Sequence, residues 1–218
     1  MKLEEGLQQV NHTRIIAIVR GVEEARILDT AKALLDGGVS VMEVTLNTEG
    51  ALSMIAKLQE QMGDRMFIGA GTVLDSDDAK QAINAGASFL VSPNTDEDMI
   101  CYASDQEIPV YPGAMTPTEI VKAWKAGAAA VKLFPSASLG LPYLKELLAP
   151  LDRIPIIAVG GVRENNIRSY LEAGCYAVGI GGSLIDKAAI ASGEYAMITA
   201  KASALMREVR AFHQTGAR

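Results

Sequence analysis

A lysine inside an otherwise apolar run is the first residue that asks for a chemical account. Lys132 stands in AGAAAVKLFP, and a lysine is almost never buried without a partner or a purpose. If this run is a strand covered by helices, an outward lysine would have to snorkel across the helix layer, so the inward direction is expected. Burial disfavours the ammonium form and lowers the pKa, which leaves a neutral amine able to attack a ketone carbon. The imine that results is an electron sink, so a carbon–carbon bond next to it can break to leave an enamine. Glu43, in SVMEVTLNTE, shares a strand face with Val41 and Thr45. It is the candidate to move protons, removing one from a substrate hydroxyl and returning one to the enamine, directly or through a water. Its other reading is a structural counter-ion for Lys132. A working pair has to share a water without locking into an ion pair, a distance the sequence leaves open.

Glycine-rich turns supply the second kind of chemistry. In GAGTVL, Gly69, Gly71 and Thr72 follow an apolar run, and small residues there would let a ligand approach backbone N–H donors. Gly160 and Gly161 follow one later run, and Gly181, Gly182 and Ser183 follow another, each leading toward a helix. Such loops with helix N-termini are where barrel enzymes hold phosphate, although tight turns without a ligand would look the same. Arg20 ends the first apolar run and offers a cation for a carboxylate or phosphate; a plain surface arginine is the competing reading.

These residues need elements to hold them, and the chain repeats a plan. ALLDGGVSVMEV, AINAGASFLVS, AWKAGAAAVKLF and YLEAGCYAVGIG each read as a helix, a small-residue turn and an apolar strand, with Gly38, Gly86, Gly127 and Gly174 suited to the left-handed position that ends a helix. Their spacings of 48, 41 and 47 residues leave room for one further strand-helix unit between each pair. The intervening strands are RIIAIVR (14–20), MFIGAG (66–71), IPVYPG (108–113) and IPIIAVGG (154–161), making eight in all. Eight alternations predict a single-domain (β/α)8 TIM barrel over residues 1–218, with an open doubly wound sheet as the alternative. Alignment on the turn glycines puts Glu43, Val91, Lys132 and Gly179 at one step of alternate strands, and alternate strands share an interior layer.

Composition narrows the function. A net charge of -6 gives no basic field for nucleic acid. The N-terminus MKLEEGLQQVNHTR has no apolar signal region and no stretch reaches a membrane span, so a cytoplasmic protein without membrane contact is expected. The only histidines, His12 and His213, lie at the two chain ends, which argues for chemistry with no metal and no cofactor. Cys101 and Cys175 are expected to be buried free thiols. Two rival functions remain: a metal-independent isomerase, epimerase or synthase of a phosphorylated metabolite on the same barrel, and a non-catalytic ligand-binding barrel, which would have little reason to keep Lys132 and Glu43 in one layer.

The ordered set IVRG, GGVSVMEVTL, GAGTVL, AGASFLVSPN, YPGAMTPTE, VKLFPS, VGGV and GIGGSL resembles the 2-keto-3-deoxy-6-phosphogluconate and 4-hydroxy-2-oxoglutarate aldolases over nearly the whole chain. The resemblance implies cleavage of a small 2-keto acid substrate, the 2-keto-3-deoxy-6-phospho sugar acids to pyruvate and glyceraldehyde 3-phosphate, or 4-hydroxy-2-oxoglutarate to pyruvate and glyoxylate. It implies Lys132 as the imine lysine and Glu43 as the acid/base. Thr72 and Pro93 would line the pyruvyl pocket, Phe134 would pack over the substrate, and Gly160, Gly161, Gly181, Gly182 and Ser183 would take the phosphate. It also implies a homotrimer. The chain departs from the pattern twice. Asn47 stands where many members have the arginine that binds the substrate carboxylate, with Arg20 the expected replacement. Val159 stands where phosphogluconate-specific members tend to have threonine, as in the phosphogalactonate aldolases that share the Leu-Asn pattern.

Overall fold

The computed structural model describes residues 2–214. Its centre is a sheet of parallel strands: β1 (Ile15–Val19), β2 (Val41–Thr45), β3 (Phe67–Gly71), β4 (Leu90–Val91), β5 (Val110–Tyr111), β6 (Gly113–Ala114), β7 (Val131–Leu133), β8 (Ile156–Val159) and β9 (Ala177–Ile180). The order β5-β4-β3-β2-β1-β9-β8-β7-β6 puts at the sheet's two ends β5 and β6, which only Pro112 separates in the chain. The sheet therefore closes on itself, which settles the choice between barrel and open sheet. The fifth strand, expected to be continuous over 108–113, is divided because proline has no N–H to give to a ladder. Its carbonyl still serves, accepting from the Lys132 N–H at 2.8 Å.

Helices α2 (Ile27–Asp36), α3 (Ala51–Met62), α4 (Ser76–Asn84), α5 (Glu97–Asp105), α6 (Pro117–Lys125), α7 (Ser136–Leu148) and α8 (Ile167–Glu172) follow β1 to β8 and cover the sheet from outside. Four of them end as the repeat predicts. Gly38, Gly86, Gly127 and Gly174 have φ of 91°, 96°, 108° and 105°. At the first, Gly38 N–H bonds Leu35 O and Val39 N–H bonds Leu34 O, both at 2.9 Å, so the last carbonyls of α2 are satisfied as the chain turns back to β2. Starts are equally explicit: Pro117 opens α6 behind a reciprocal Thr116–Glu119 capping box.

Two layers of apolar packing result. The outer one lies between strands and helices, and the inner one fills the barrel with Ile16, Val41, Phe67, Phe89, Tyr111 and their neighbours. Phe67, Phe89 and Tyr111 pack against one another across the hollow at tilted angles, with ring centres 4.8 and 5.6 Å apart, each pair contributing about 0.5–1.5 kcal/mol beyond simple burial. The segment before β1, read from sequence only as lacking an apolar signal region, is α1 (Leu3–Thr13). It stops the bottom of the barrel: Val10 joins the inner cluster, and a Cβ at Gly6 would collide with the Phe67 ring. After β9 come α9 (Lys187–Ser192) and α10 (Tyr195–Gln214), and α10 packs on α2 and α8.

One sequence expectation fails here. Cys175 is buried, but Cys101 is exposed on α5, because the buried face of that helix is taken by Met99, Ile100 and Ala103. The two histidines, distant in sequence, meet where the chain ends converge, their rings 6.3 Å apart.

Candidate active site

The C-terminal ends of the strands surround a cavity of about 470 Å3, within the range of small-molecule sites. Lys132 projects into it from the middle of β7 and is 6% exposed. Below the cavity lies a tightly packed inner hollow whose walls include Glu43, Val91, Lys132 and Gly179 together. The interior layer inferred from the turn glycines is thus the one observed, and Lys132 lines both spaces, with Ile18, Val159 and Gly179.

Glu43 is 2% exposed, and its Oε2 has no hydrogen-bond partner. Burial raises its pKa to about 7, against the opposing fields of Lys132 and Arg20. Burial likewise holds Lys132 below the ordinary lysine range; Glu43 opposes that shift and Arg20 reinforces it. Among the described residues the two form no ion pair within 4.0 Å: each feels the other's charge without contact. The distance that sequence left open is therefore the separated one; Glu43 changes protonation near neutral pH, and burial shifts Lys132 toward its neutral amine. The Lys132 Nζ also lies 4.9 Å from the Phe134 ring centre.

Gly71 corrects an expectation. It does not line the cavity, and a Cβ there would overlap the Glu43 carboxylate. Its lack of a side chain makes room for the glutamate, and Gly69 does the same for the Phe89 ring. Thr72 does reach the wall, held at a φ of 59°, a conformation that strains a β-branched residue. Pro93 and Phe134 form the side toward β4 and β7, and Asn47 and Arg20 close the opposite rim. Arg20 reaches the Thr72 hydroxyl at 3.5 Å. The loops carrying Arg20 and Asn47 are tied together by buried Thr48, whose Oγ1 accepts from the Gly21 N–H at 2.9 Å and lies 3.0 Å from the Thr45 hydroxyl.

The glycine turns after β8 and β9 face the same cavity with Val159 and Ser183, but for different reasons. Gly160 and Gly161 have φ of 106° and 73° and press against the start of α7, so the backbone itself demands glycine. Gly181 and Gly182 have no such φ, and a Cβ on Gly182 would meet nothing within 4 Å. Space is left there that the fold does not use. The Ser183 hydroxyl donates to Val162 O at 2.8 Å, joining the two turns. The expected helix N-termini stand back from them, since α8 begins at Ile167 and α9 at Lys187 and each runs for only six residues. The cradle is therefore turn backbone and side chain. Ile18, Val162 and Arg163 also line the cavity and were not singled out from sequence. Alternation with Ile16 along β1 marks Ile18 as inward, and Arg163 lies just past a glycine pair already identified.

The comparisons with known proteins agree with this arrangement. The family model described as KDPG and KHG aldolase matches residues 7–201. A 2-dehydro-3-deoxy-6-phosphogalactonate aldolase of Escherichia coli (strain K12) is 36% identical over 171 residues, covering 78% of this chain and 83% of that one. A 2-dehydro-3-deoxy-phosphogluconate aldolase of Pseudomonas aeruginosa is 37% identical over 187 residues, covering 85% and 84%. A crystal structure of KDPG aldolase from Legionella pneumophila, with pyruvate captured as a covalent carbinolamine intermediate, superposes with a TM-score of 0.85 at 29% identity and covers 90% of this chain and 96% of that one.

Proposed function

The chain belongs to the KDPG and KHG aldolase family, and from that premise we propose that it cleaves 2-keto-3-deoxy-6-phospho sugar acids to pyruvate and glyceraldehyde 3-phosphate through an imine on Lys132. It is a lyase of the class I type; the isomerase, epimerase or synthase reading is not favoured by its relatives. The observation that carries the reading is a buried Lys132 at the floor of the cavity, charge-coupled to Glu43 but free of an ion pair.

The chemistry follows from that placement. The neutral Lys132 amine adds to the C2 ketone, and loss of water from the carbinolamine gives the iminium. Glu43, as carboxylate, takes the proton of the C4 hydroxyl; the C3–C4 electron pair moves into the iminium, leaving an enamine and releasing the aldehyde. Protonated Glu43 then returns the proton to C3, and hydrolysis frees pyruvate and the amine. A pKa of about 7 lets one group serve as base and then acid. Because Glu43 lies beneath the cavity, it acts from below, directly or through a water. Arg20 is assigned the substrate carboxylate in place of an arginine at Asn47, with Thr72, Pro93 and Phe134 around the pyruvyl group and the turns at 160–161 and 181–183 around the phosphate.

Borohydride reduction in the presence of pyruvate, followed by peptide mapping, is expected to place a reduced pyruvyl group on Lys132 and on no other lysine. Labelling elsewhere would refute the mechanism. Val159, on the cavity wall, points to the galactonate epimer, since valine offers no hydrogen bond to a substrate hydroxyl. The native kcat/KM for the phosphogalactonate substrate is expected to equal or exceed that for the phosphogluconate one, and Val159→Thr to shift the ratio toward gluconate by about tenfold, one hydrogen bond's worth. Residues 1–218 are read as one barrel domain from the strand-helix repeat, and as a homotrimer from the family resemblance; sedimentation velocity tests the assembly. Among the described residues no helix is long and apolar enough to cross a membrane.

A further inference from the structure

Arg163 is the one cavity-lining cation to which neither the sequence reading nor the mechanism gives a role. It stands two residues beyond the glycine pair after β8, on a firmly held loop. Its N–H donates to Asn166 Oδ1 at 2.8 Å and its carbonyl accepts from the N–H groups of Asn166 and Ile167 at 3.1 and 2.9 Å. Asn166 Nδ2 in turn donates to Gly161 O at 3.0 Å. One asparagine thus fastens the Arg163 backbone to the glycine turn, which fixes where its side chain leaves the chain beside that turn. Among the described residues no carboxylate pairs with Arg163. The nearby acids are engaged elsewhere: Glu164 with Arg207 at 3.5 Å, Glu172 with Arg168 at 2.8 Å, and Asp186 with Lys201 at 3.0 Å. An exposed cation facing a cavity is left without a counter-charge in a chain of net charge -6.

The other cation on the wall, Arg20, lies near the reacting end. It touches Thr72, and its field reaches both Glu43 and Lys132, whereas Arg163 figures in neither. The two arginines stand on different loops of the rim, Arg20 after β1 and Arg163 after β8, the latter beside the glycine turns assigned to the phosphate. The Ser183 hydroxyl donates to Val162 O, and the Arg163 guanidinium adds charged donors to the backbone N–H groups of the turns at 160–161 and 181–183 on the same wall. Resting on the aldolase reading above, we propose that Arg163 is a specificity-determining residue that binds the terminal phosphate of the substrate, so that the enzyme discriminates against sugar acids lacking that phosphate. A guanidinium suits this task because its planar donors pair with phosphate oxygens two at a time.

The test uses Arg163→Gln in the full chain. Its kcat/KM for 2-keto-3-deoxy-6-phosphogalactonate is expected to fall about tenfold further than for unphosphorylated 2-keto-3-deoxygalactonate, the scale of one charge-assisted bond. Binding of inorganic phosphate, read by calorimetry and by competitive inhibition, is expected to weaken by a similar factor of about ten, with Arg163→Lys restoring part of it. Equal losses on the two substrates, or phosphate binding unchanged, overturns the proposal. The reading beneath it fails separately: native protein that yields no trapped pyruvyl adduct at Lys132 refutes the aldolase assignment, while calorimetry with phosphate still reports on Arg163 without any turnover.

Discussion

The floor and the rim of the cavity handle charge in opposite ways. At the floor, Glu43 and Lys132 are almost fully buried, unpaired and displaced from their ordinary pKa values. At the rim, Arg20 and Arg163 are exposed cations on loops fixed by hydrogen bonds from Thr48 and Asn166. Burial without pairing makes a charge easy to remove, which is what proton and electron-pair movement needs. Exposure keeps a charge permanent, which is what binding an anion needs. The floor accordingly carries a stability penalty that the rim does not.

The largest effect that could break this comparison comes from Glu43→Gln. Turnover is expected to drop by roughly 10²–10⁴-fold, with the pyruvyl adduct at Lys132 still trapped by borohydride. Unchanged turnover would reduce Glu43 to structure. The same substitution probes the stability penalty. In the folded protein Glu43 has a pKa raised to about 7, so the native state holds a proton that the unfolded state releases from about pH 4.5 upward. The stabilisation is complete below the unfolded value and is lost as pH rises to about 7, by an amount on the order of 3 kcal/mol at most. Denaturation at pH 5 and pH 8 should show native protein losing more stability than Glu43→Gln across that interval; parallel curves would mean the carboxylate is solvated after all.

A smaller effect is expected at the rim. Arg20→Ala should raise KM by about ten- to a hundredfold, the range of a charge-assisted hydrogen bond, with a lesser change in kcat. Unaltered KM and kcat would leave the carboxylate of the substrate without an assigned partner. The smallest effect separates the two glycine turns. Gly161→Ala should destabilise by about 1 kcal/mol or more, since φ is 73° and the new Cβ would lie 2.6 Å from the Ala137 Cβ. Gly182→Ala, whose Cβ meets nothing, should change stability by less than about 0.5 kcal/mol while weakening phosphate binding. Equal melting shifts for the two variants would show that both turns are merely tight.

Much of the site was legible in the chain because it rests on local periodicity. The left-handed glycines that end helices recur at regular steps, strands alternate inward and outward, and these two facts alone place Glu43, Val91, Lys132 and Gly179 in one layer. A lysine in an apolar strand announced its own burial in the same way. What depends on residues far apart in sequence was not legible. That Gly71 yields its volume to the Glu43 carboxylate is a diagonal contact between strands. Closure of the sheet around Pro112, and the plugging of the barrel's bottom by α1, are matters of three-dimensional packing. Nothing in the sequence around Arg163 shows that the neighbouring acids Glu164 and Glu172 pair with other arginines. The separation of Glu43 from Lys132 is of the same kind: sequence sets which groups face inward, but the distance between two side chains on different strands is decided by barrel diameter and by the small residues between them.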